Sequence, residues 1–303
     1  MPNITTSGTY FKPELVTEIF SRVKGHSALA KLCGGAPIPF SGTDTFVFSM
    51  DGEACIVGEG ENKPAGDAGL STVTIKPVKF IYQHRVTDEF LKLSEEKQLP
   101  YLKELAEGFS KKIARALDIA AFHGVNPYDG QASATVGAKS FDTLITTTVD
   151  FVDTLPDDNV DGAIGLIQTA GGDATGIAMA PAFGAALGRM KMSHSHAAMY
   201  PEFRFGGNPA AFGGGLASDV NNTVSFGDSA DRAIVGDFAN AFKWGYAENV
   251  PLEVIQYGDP DGLGDLKRKN QIVFRTEAYI GWGILNAASF ARIVEPADDK
   301  DGE

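Results

Sequence analysis

Apolar residues recur from Leu99 to Gly124 at gaps of three and four: Leu102, Leu105, Phe109, Ile113, Leu117 and Ala120, with Ala106, Ala116 and Ala121 beside them. That spacing places one apolar stripe on one face of a helix. Lys103, Glu104, Glu107, Lys111, Lys112, Arg115 and Asp118 are assigned to the opposite face. Pro100 suits the first turn of such a helix and Gly124 its end, with Gly108 the weak point between them. At about 1.5 Å per residue the helix is roughly 36 Å long, a spine for a domain of this size.

A different period precedes it. From Thr43 to Val86 the chain runs out and comes back: FVFSM, a glycine-rich acidic tip, then the alternating, β-branched run TVTIKPVKFIYQHRV. The return run is expected to be a single strand of about fifteen residues. Between the two strands lie Gly52, Gly58, Gly60, Gly66 and Gly69, with Asp51, Glu53, Glu59, Glu61 and Asp67. A two-stranded arm has no core of its own, and isolated hairpins are marginal in water. An arm this long implies a partner surface to lie on.

The remaining pattern alternates helix and strand. Residues 1–12 read as an unpaired arm, followed by an amphipathic helix that Pro13 opens and Gly25 closes, carrying Leu15, Val16, Ile19, Phe20 and Val23. A short turn is expected at Ser27–Leu32, a short helical piece at Asp88–Glu96 and a loop at Val125–Lys139. Helices are expected at Asp158–Ala170 and Pro181–Met190, and a buried strand at Ile177–Ala180. YPEFRFGGNPAAFGGG lacks a period and reads as loop. Strands follow at Ala233–Phe238, Pro251–Tyr257, Gln271–Ile280 and Ala291–Val294, with turns at Asp259–Gly264 and Leu285–Phe290 and a polar tail after Pro296.

Composition narrows the class. The 303 residues are 43% hydrophobic and 21% charged, a globular balance. The longest mostly apolar run, Gly176–Gly188, contains Pro181 and is too short to span a bilayer, so no membrane role is expected. No signal peptide opens the chain, and Cys33 and Cys55 form no CxxC pair, so reduced thiols and a cytoplasmic setting are expected. The net charge is −13, and the densest basic clusters are Lys111-Lys112 and Lys267-Arg268-Lys269. Gripping phosphate backbones needs many cations on one face, so nucleic-acid binding is disfavoured as the main task. An acidic surface suits a protein that lives beside DNA without adhering to it.

Catalytic patterns are missing. There is no Walker lysine motif, GxSxG, HExxH or CxxC. Three glycine pairs begin a dinucleotide fingerprint, but Lys63, Lys267 and Asn286 stand where the third glycine must be. His194 and His196 would share a strand face, yet no carboxylate flanks them to complete a metal site. Asp157–Gly162 opens like a calcium loop, but Gln168 stands where the closing glutamate belongs, and an Asp-capped helix explains the same residues. No catalytic, cofactor-binding or metal-ligating residue is expected.

The order of parts carries a resemblance. The GEGENKP tip and its return strand lead through HRVTDEFLKLSEE into a spine ending LDIAAFHG, and IAMAPAFGAALGRMK, IVGDF and FRTEAYIGWGILNAASFARI follow. In that order the chain resembles the major capsid proteins of tailed bacteriophages, with their Hong Kong 97-type fold. The resemblance implies an α+β chain in four parts: an N-terminal arm and short helix (1–42), an extended β-hairpin loop (43–86), a peripheral domain built on the spine helix (87–140 plus 269–303) and an axial domain (141–268). It implies pentamers and hexamers of an icosahedral shell around double-stranded DNA, each extended loop crossing a neighbour. Glu59, Glu61, Lys63, Lys76, Lys79 and Arg85 are the expected subunit contacts. Implied partners are further copies of the chain, a separate scaffolding protein, a portal and a decoration protein, with assembly in the host cytoplasm and no cofactor. Lys63 lies near the position where some members cross-link, but the acceptor asparagine and catalytic glutamate of that reaction find no match. Two alternatives remain: an encapsulin-like nanocompartment shell of the same fold, and a metal-dependent enzyme using His194, His196 and Asp157.

Overall fold

The computed structural model describes residues 26–51, 54–63, 65–93, 95–247 and 252–296. The arm expected at 1–12, the Pro13–Gly25 helix and the tail beyond Pro296 lie outside them. The described residues open with α1 (Ala28–Leu32), β1 (Ala36–Pro37), β2 (Thr43–Asp51), β3 (Asp67–Ile75) and β4 (Val78–Thr87). A 3-10 turn at Asp88–Lys92 leads into α2 (Glu95–His123), followed by α3 (Phe141–Leu144), β5 (Thr148–Asp150), α4 (Pro156–Thr169), β6 (Gly176–Met179) and α5 (Pro181–Arg189). The last part holds β7 (Ala211–Phe212), β8 (Leu216–Val220), β9 (Asp231–Gly236), β10 (Phe242–Tyr246), β11 (Leu252–Ile255), β12 (Gln271–Ile284) and β13 (Phe290–Val294).

β12 organises the first sheet. β4 pairs antiparallel along one edge, from Gln271↔Thr87 to Ile280↔Val78. The other edge carries β11 and then β10, with β1 beyond β10. The period of two assigns the faces. Ile272, Phe274, Ala278 and Ile280 join Phe80 in the core beneath α2. Between them Thr276 is buried, its hydroxyl donating to Tyr82 O at 3.2 Å. The opposite face is charged: Lys79 pairs with Glu277 at 2.6 Å, and Arg275 Nε donates to Gln83 Oε1 at 3.0 Å.

The return run expected as one strand is two. β3 ladders with β2, whereas β4 belongs to the sheet of β12. The break falls at Lys76-Pro77, where proline has no N–H to donate to a ladder. At this root the arm crosses β12 closely. A Cβ on Gly281 would lie 2.8 Å from Lys76 O, and one on Gly283 would lie 3.0 Å from Val73 Cγ1. Glycine is the residue that lets two backbones approach this far.

The second sheet runs β5-β13-β9-β6-β8-β7. Its central strands β6 and β9 are buried, save for the half-buried Arg232, because each face meets a different core. Ile177, Met179, Ala233, Val235, Ala291 and Ile293 pack with Val160, Ile167, Phe183 and Leu187 of α4 and α5. The alternate residues Ala178, Ile234 and Phe290 face the core beneath α2. β1, β5, β7, β8 and β10 are not among the strands the pattern predicts, and the stretch read as loop holds a 3-10 turn at Pro201–Gly206 as well as β7. The middle of β8 reads Ala217-Ser218-Asp219, poor strand formers whose extended state follows from pairing with β6.

α2 is longer than its stripe. It starts at Glu95 rather than Pro100, so Pro100 lies inside its second turn. Leu105, Phe109, Ile113, Leu117, Ala120 and Ala121 are buried as the spacing predicts. Asp118, assigned to the polar face, is instead wholly buried. It accepts from the backbone N–H groups of Ala28 (2.8 Å) and Leu29 (3.3 Å) and from the hydroxyls of Ser27 and Thr223. A carboxylate on the long helix thereby satisfies the orphan donors at the start of α1. Likewise, Asp157–Gly162 lie within α4, capped by Leu155 rather than by an aspartate. Asp157 and Asp158 sit in its first turn, where the helix dipole favours negative charge.

Phe109 has no exposed surface and sits between α2 and the β12 sheet. Phe109→Ala is expected to lower unfolding free energy by about 3–5 kcal/mol through the cavity it leaves. Denaturant titration measures this, and a loss under about 1 kcal/mol contradicts the assignment of the stripe to the core.

Candidate assembly surfaces

The arm consists of β2 and β3, nine residues each, paired from Thr43↔Ile75 to Asp51↔Asp67. Alternation divides it into two faces. Thr45, Val47, Ser49, Ser71 and Val73 make one. Phe46, Phe48, Met50, Leu70 and Ala68 make the other, with Phe48 opposite Leu70 and Met50 opposite Ala68. On that second face Phe46 is 68% exposed, Phe48 64%, Met50 75% and Leu70 67%. Four large apolar side chains on one side of a two-stranded ribbon form a contiguous patch, the mark of an interaction site. The FVFSM alternation carries this signal, since Phe46, Phe48 and Met50 fall on one side of a strand.

The six charges expected at subunit contacts fall into two groups. Glu59, Glu61 and Lys63 are exposed at the tip, where Glu61 accepts from Gly58 N–H at 3.0 Å, and Lys76 is exposed at the root. Lys79 and Arg85 lie on β4 and bond within their own chain. Lys79 pairs with Glu277. The Arg85 guanidinium grips the loop before β12, bonding Asp259 Oδ1 (3.2 Å), both oxygens of Asp261, Gly264 O (2.8 Å) and Gln271 Oε1 (3.1 Å). Its grip holds the Asp261 carboxyl down at about 2.

A buried polar chain runs beneath α2. From Asp118 it continues through Thr223, whose backbone O accepts from His123 Nε2 at 2.8 Å. His123 Nδ1 donates to Asp142 Oδ2 at 2.9 Å. Arg292 of β13 then bridges two carboxyls, its Nη2 lying 3.1 Å from Asp142 Oδ1 and 2.8 Å from Asp231 Oδ1. His123, Asp142 and Asp231 are, among the described residues, the group whose donor atoms come within 4.8 Å of one another in a way that fits a metal ion. Both imidazole nitrogens already face acceptors, however, and Arg292 supplies positive charge at the carboxyls. The arrangement suits protons better than a cation. Its members come from four distant stretches of chain, so no local motif announced it.

His194 and His196 are exposed on a tight turn between the bridged residues Lys191 and Ala198, and Asp157 accepts from Tyr200 OH at 3.2 Å. The structure does not gather the three into a site.

The model of the phage capsid family matches residues 8–294. The chain belongs to the phage capsid family. A solved chain from Mycobacterium phage Ogopogo is 31% identical, with a TM-score of 0.75 over 89% of this chain and 92% of that one. A chain from Gordonia phage Cozz is 24% identical, with a TM-score of 0.70 over 89% of this chain and 86% of that one. The capsid of an empty GTA particle computed with C5 symmetry is 14% identical, with a TM-score of 0.60 over 90% and 97%. The last two show the fold alone. No curated protein matches the chain. This is a structural major capsid protein of the Hong Kong 97 type, a component of the virion shell, and the nanocompartment and metal-enzyme alternatives are not favoured.

Because the Arg85 guanidinium ties β4 to the loop at 258–266 within one capsid subunit, Arg85→Ala is expected to speed amide hydrogen exchange in that loop while leaving the arm unchanged. Equal exchange in variant and wild type contradicts an internal role for this arginine.

Proposed function

We propose that this capsid subunit forms pentamers and hexamers that close into an icosahedral shell around double-stranded DNA, held by arms that lie across neighbouring subunits. The observation that carries the reading is the exposed face of Phe46, Phe48, Met50 and Leu70, which none of the described residues covers. Burying each such side chain is worth roughly 1.5–3 kcal/mol, so a neighbour that covers the face supplies the force that holds the arm. Head-to-tail contacts of this kind close into rings when the rotation allows.

Glu59, Glu61, Lys63 and Lys76 act at the rim of that contact, where exposed pairs contribute little individually and weaken with salt. Phe205, almost fully exposed beside the second sheet, is a further contact with a neighbour. The parts divide as an N-terminal arm and helix (1–42), an extended loop whose free portion is the β2–β3 ribbon, a peripheral domain on α2 and an axial domain on the six-stranded sheet. Assembly in the host cytoplasm engages a scaffolding protein, a portal and a decoration protein. The net charge of −13 keeps packaged DNA from adhering to the shell. The chain's role is structural rather than catalytic.

Replacing Phe46, Phe48 and Met50 together by serine separates folding from assembly. These side chains are exposed in the subunit, so its melting temperature is expected to stay within about 2 °C of wild type. Shells, counted by electron microscopy or sedimentation, are expected to disappear. Normal shells from the triple variant overturn the proposal; unfolding of the subunit shows instead that the arm belongs to its core.

A further inference from the structure

We propose that Asp142 and Asp231 share one proton in the folded subunit, and that this proton, together with a doubly protonated His123, forms a pH-sensitive latch between the spine helix and the six-stranded sheet. Asp231 has no exposed side-chain surface, and its Oδ2 accepts no hydrogen bond. Asp142 Oδ1 is also buried and lacks an aligned donor, although Arg292 Nη2 is 3.1 Å away. The two carboxyls meet at Arg292 Nη2, each offering an oxygen within 4.8 Å of the other's. Two buried carboxylates this close repel, and one proton shared between them relieves the repulsion and satisfies both orphan atoms.

His123 is constrained in the same way. Nε2 faces a backbone carbonyl and Nδ1 faces a carboxylate, groups that only accept, so both ring nitrogens carry hydrogen. Its side chain is 4% exposed. The groups facing the cluster come from every element around it: His123 of α2, Asp142 at the start of α3, Asp231 of β9 and Arg292 of β13. Next in sequence to Asp231, Arg232 pairs with Glu295 at 2.7 Å, and Thr223 links His123 to Asp118. The network thus spans the joint between the helix and the sheet.

The direction of the effect follows from the environment. Burial, and then the bond and charge of Asp142, push the Asp231 carboxyl up to about 7. Burial works against charge on Asp142 too, but the bonds from His123 and Asp231 and the charges of His123 and Arg292 hold it below its ordinary value. Burial likewise opposes charge on His123, yet Asp142 and the Thr223 carbonyl raise it above 6.5. A group whose folded value is raised contributes stability that is complete below its unfolded value and is lost as pH rises through the folded one. Asp231 and His123 act in the same sense, so the latch is tight in mild acid and loosens as pH rises towards 7.

Chemical unfolding of the full chain at pH values of about 5, 6, 7 and 8 tests this, with wild type beside Asp231→Asn. Asparagine keeps an acceptor for Arg292 and gives Asp142 a permanent donor. Between pH 5 and 7 the wild-type folding constant is expected to fall up to about tenfold per pH unit more steeply than that of the variant. Infrared spectra supply a readout that needs no stable variant. A protonated-carboxyl band titrating near pH 7 is expected in wild type and is expected to be missing from Asp231→Asn or, should that variant not fold, from Asp142→Asn. Parallel pH profiles in wild type and variant, or a wild-type spectrum without such a band, overturn the latch.

Discussion

A two-stranded ribbon cannot bury both of its faces by folding on itself, and the design of this subunit follows from that constraint. β2 and β3 pair along nine residues each and use their backbone groups on one another. Their apolar face has none of the described residues behind it. Pro77 ends the ribbon's ladder, Gly281 and Gly283 let its root lie against β12, and the ladder of β4 on β12 anchors the chain beyond the turn.

The anchor is rigid because two cores share one wall. The six-stranded sheet packs α4 and α5 on one face and the α2 core on the other, so neither core can move without the sheet. Phenylalanine rings weld the junction. Phe141 lies 5.5 Å from Phe122 of the spine, 5.5 Å from Phe242 of the first sheet and 5.2 Å from Phe290 of the second. Beside these rings runs the polar chain from Asp118 to Arg292, a second connection between the same parts that depends on protons rather than on shape. Apolar contact sets the strength of the joint, and the polar chain makes it responsive to pH.

Much of this could be read from the residues. The three-and-four spacing of Leu105, Phe109, Ile113 and Leu117 marked the buried side of α2, and the dense run after Gln271 marked the strand on which the first sheet is built. Local pattern failed wherever tertiary partners decide. Asp118 looks like a surface charge until α1 brings unpaired N–H groups to it. β8, with Ala, Ser and Asp in a row, becomes a strand because β6 offers a ladder. TVTIKPVKFIYQHRV alternates almost without interruption, so only the missing N–H of Pro77 betrays that it serves two sheets. Among the expected contact residues, Arg85 could not be distinguished from a surface arginine by sequence, because Asp259, Asp261 and Gly264 meet it across most of the chain. Charge drew attention to the tip, while the larger exposed apolar area lies in the strands behind it.

Hydroxyl-radical footprinting of Phe46, Phe48 and Met50 tests the central claim most directly, because it compares the same side chains in dissociated subunits and in assembled shells without any mutation. The account predicts strong labelling of all three in free subunits, where Met50 is 75% exposed, and marked protection in shells. Equal labelling in the two states would contradict it, since an arm whose apolar face stays wet after assembly cannot be what joins one subunit to the next.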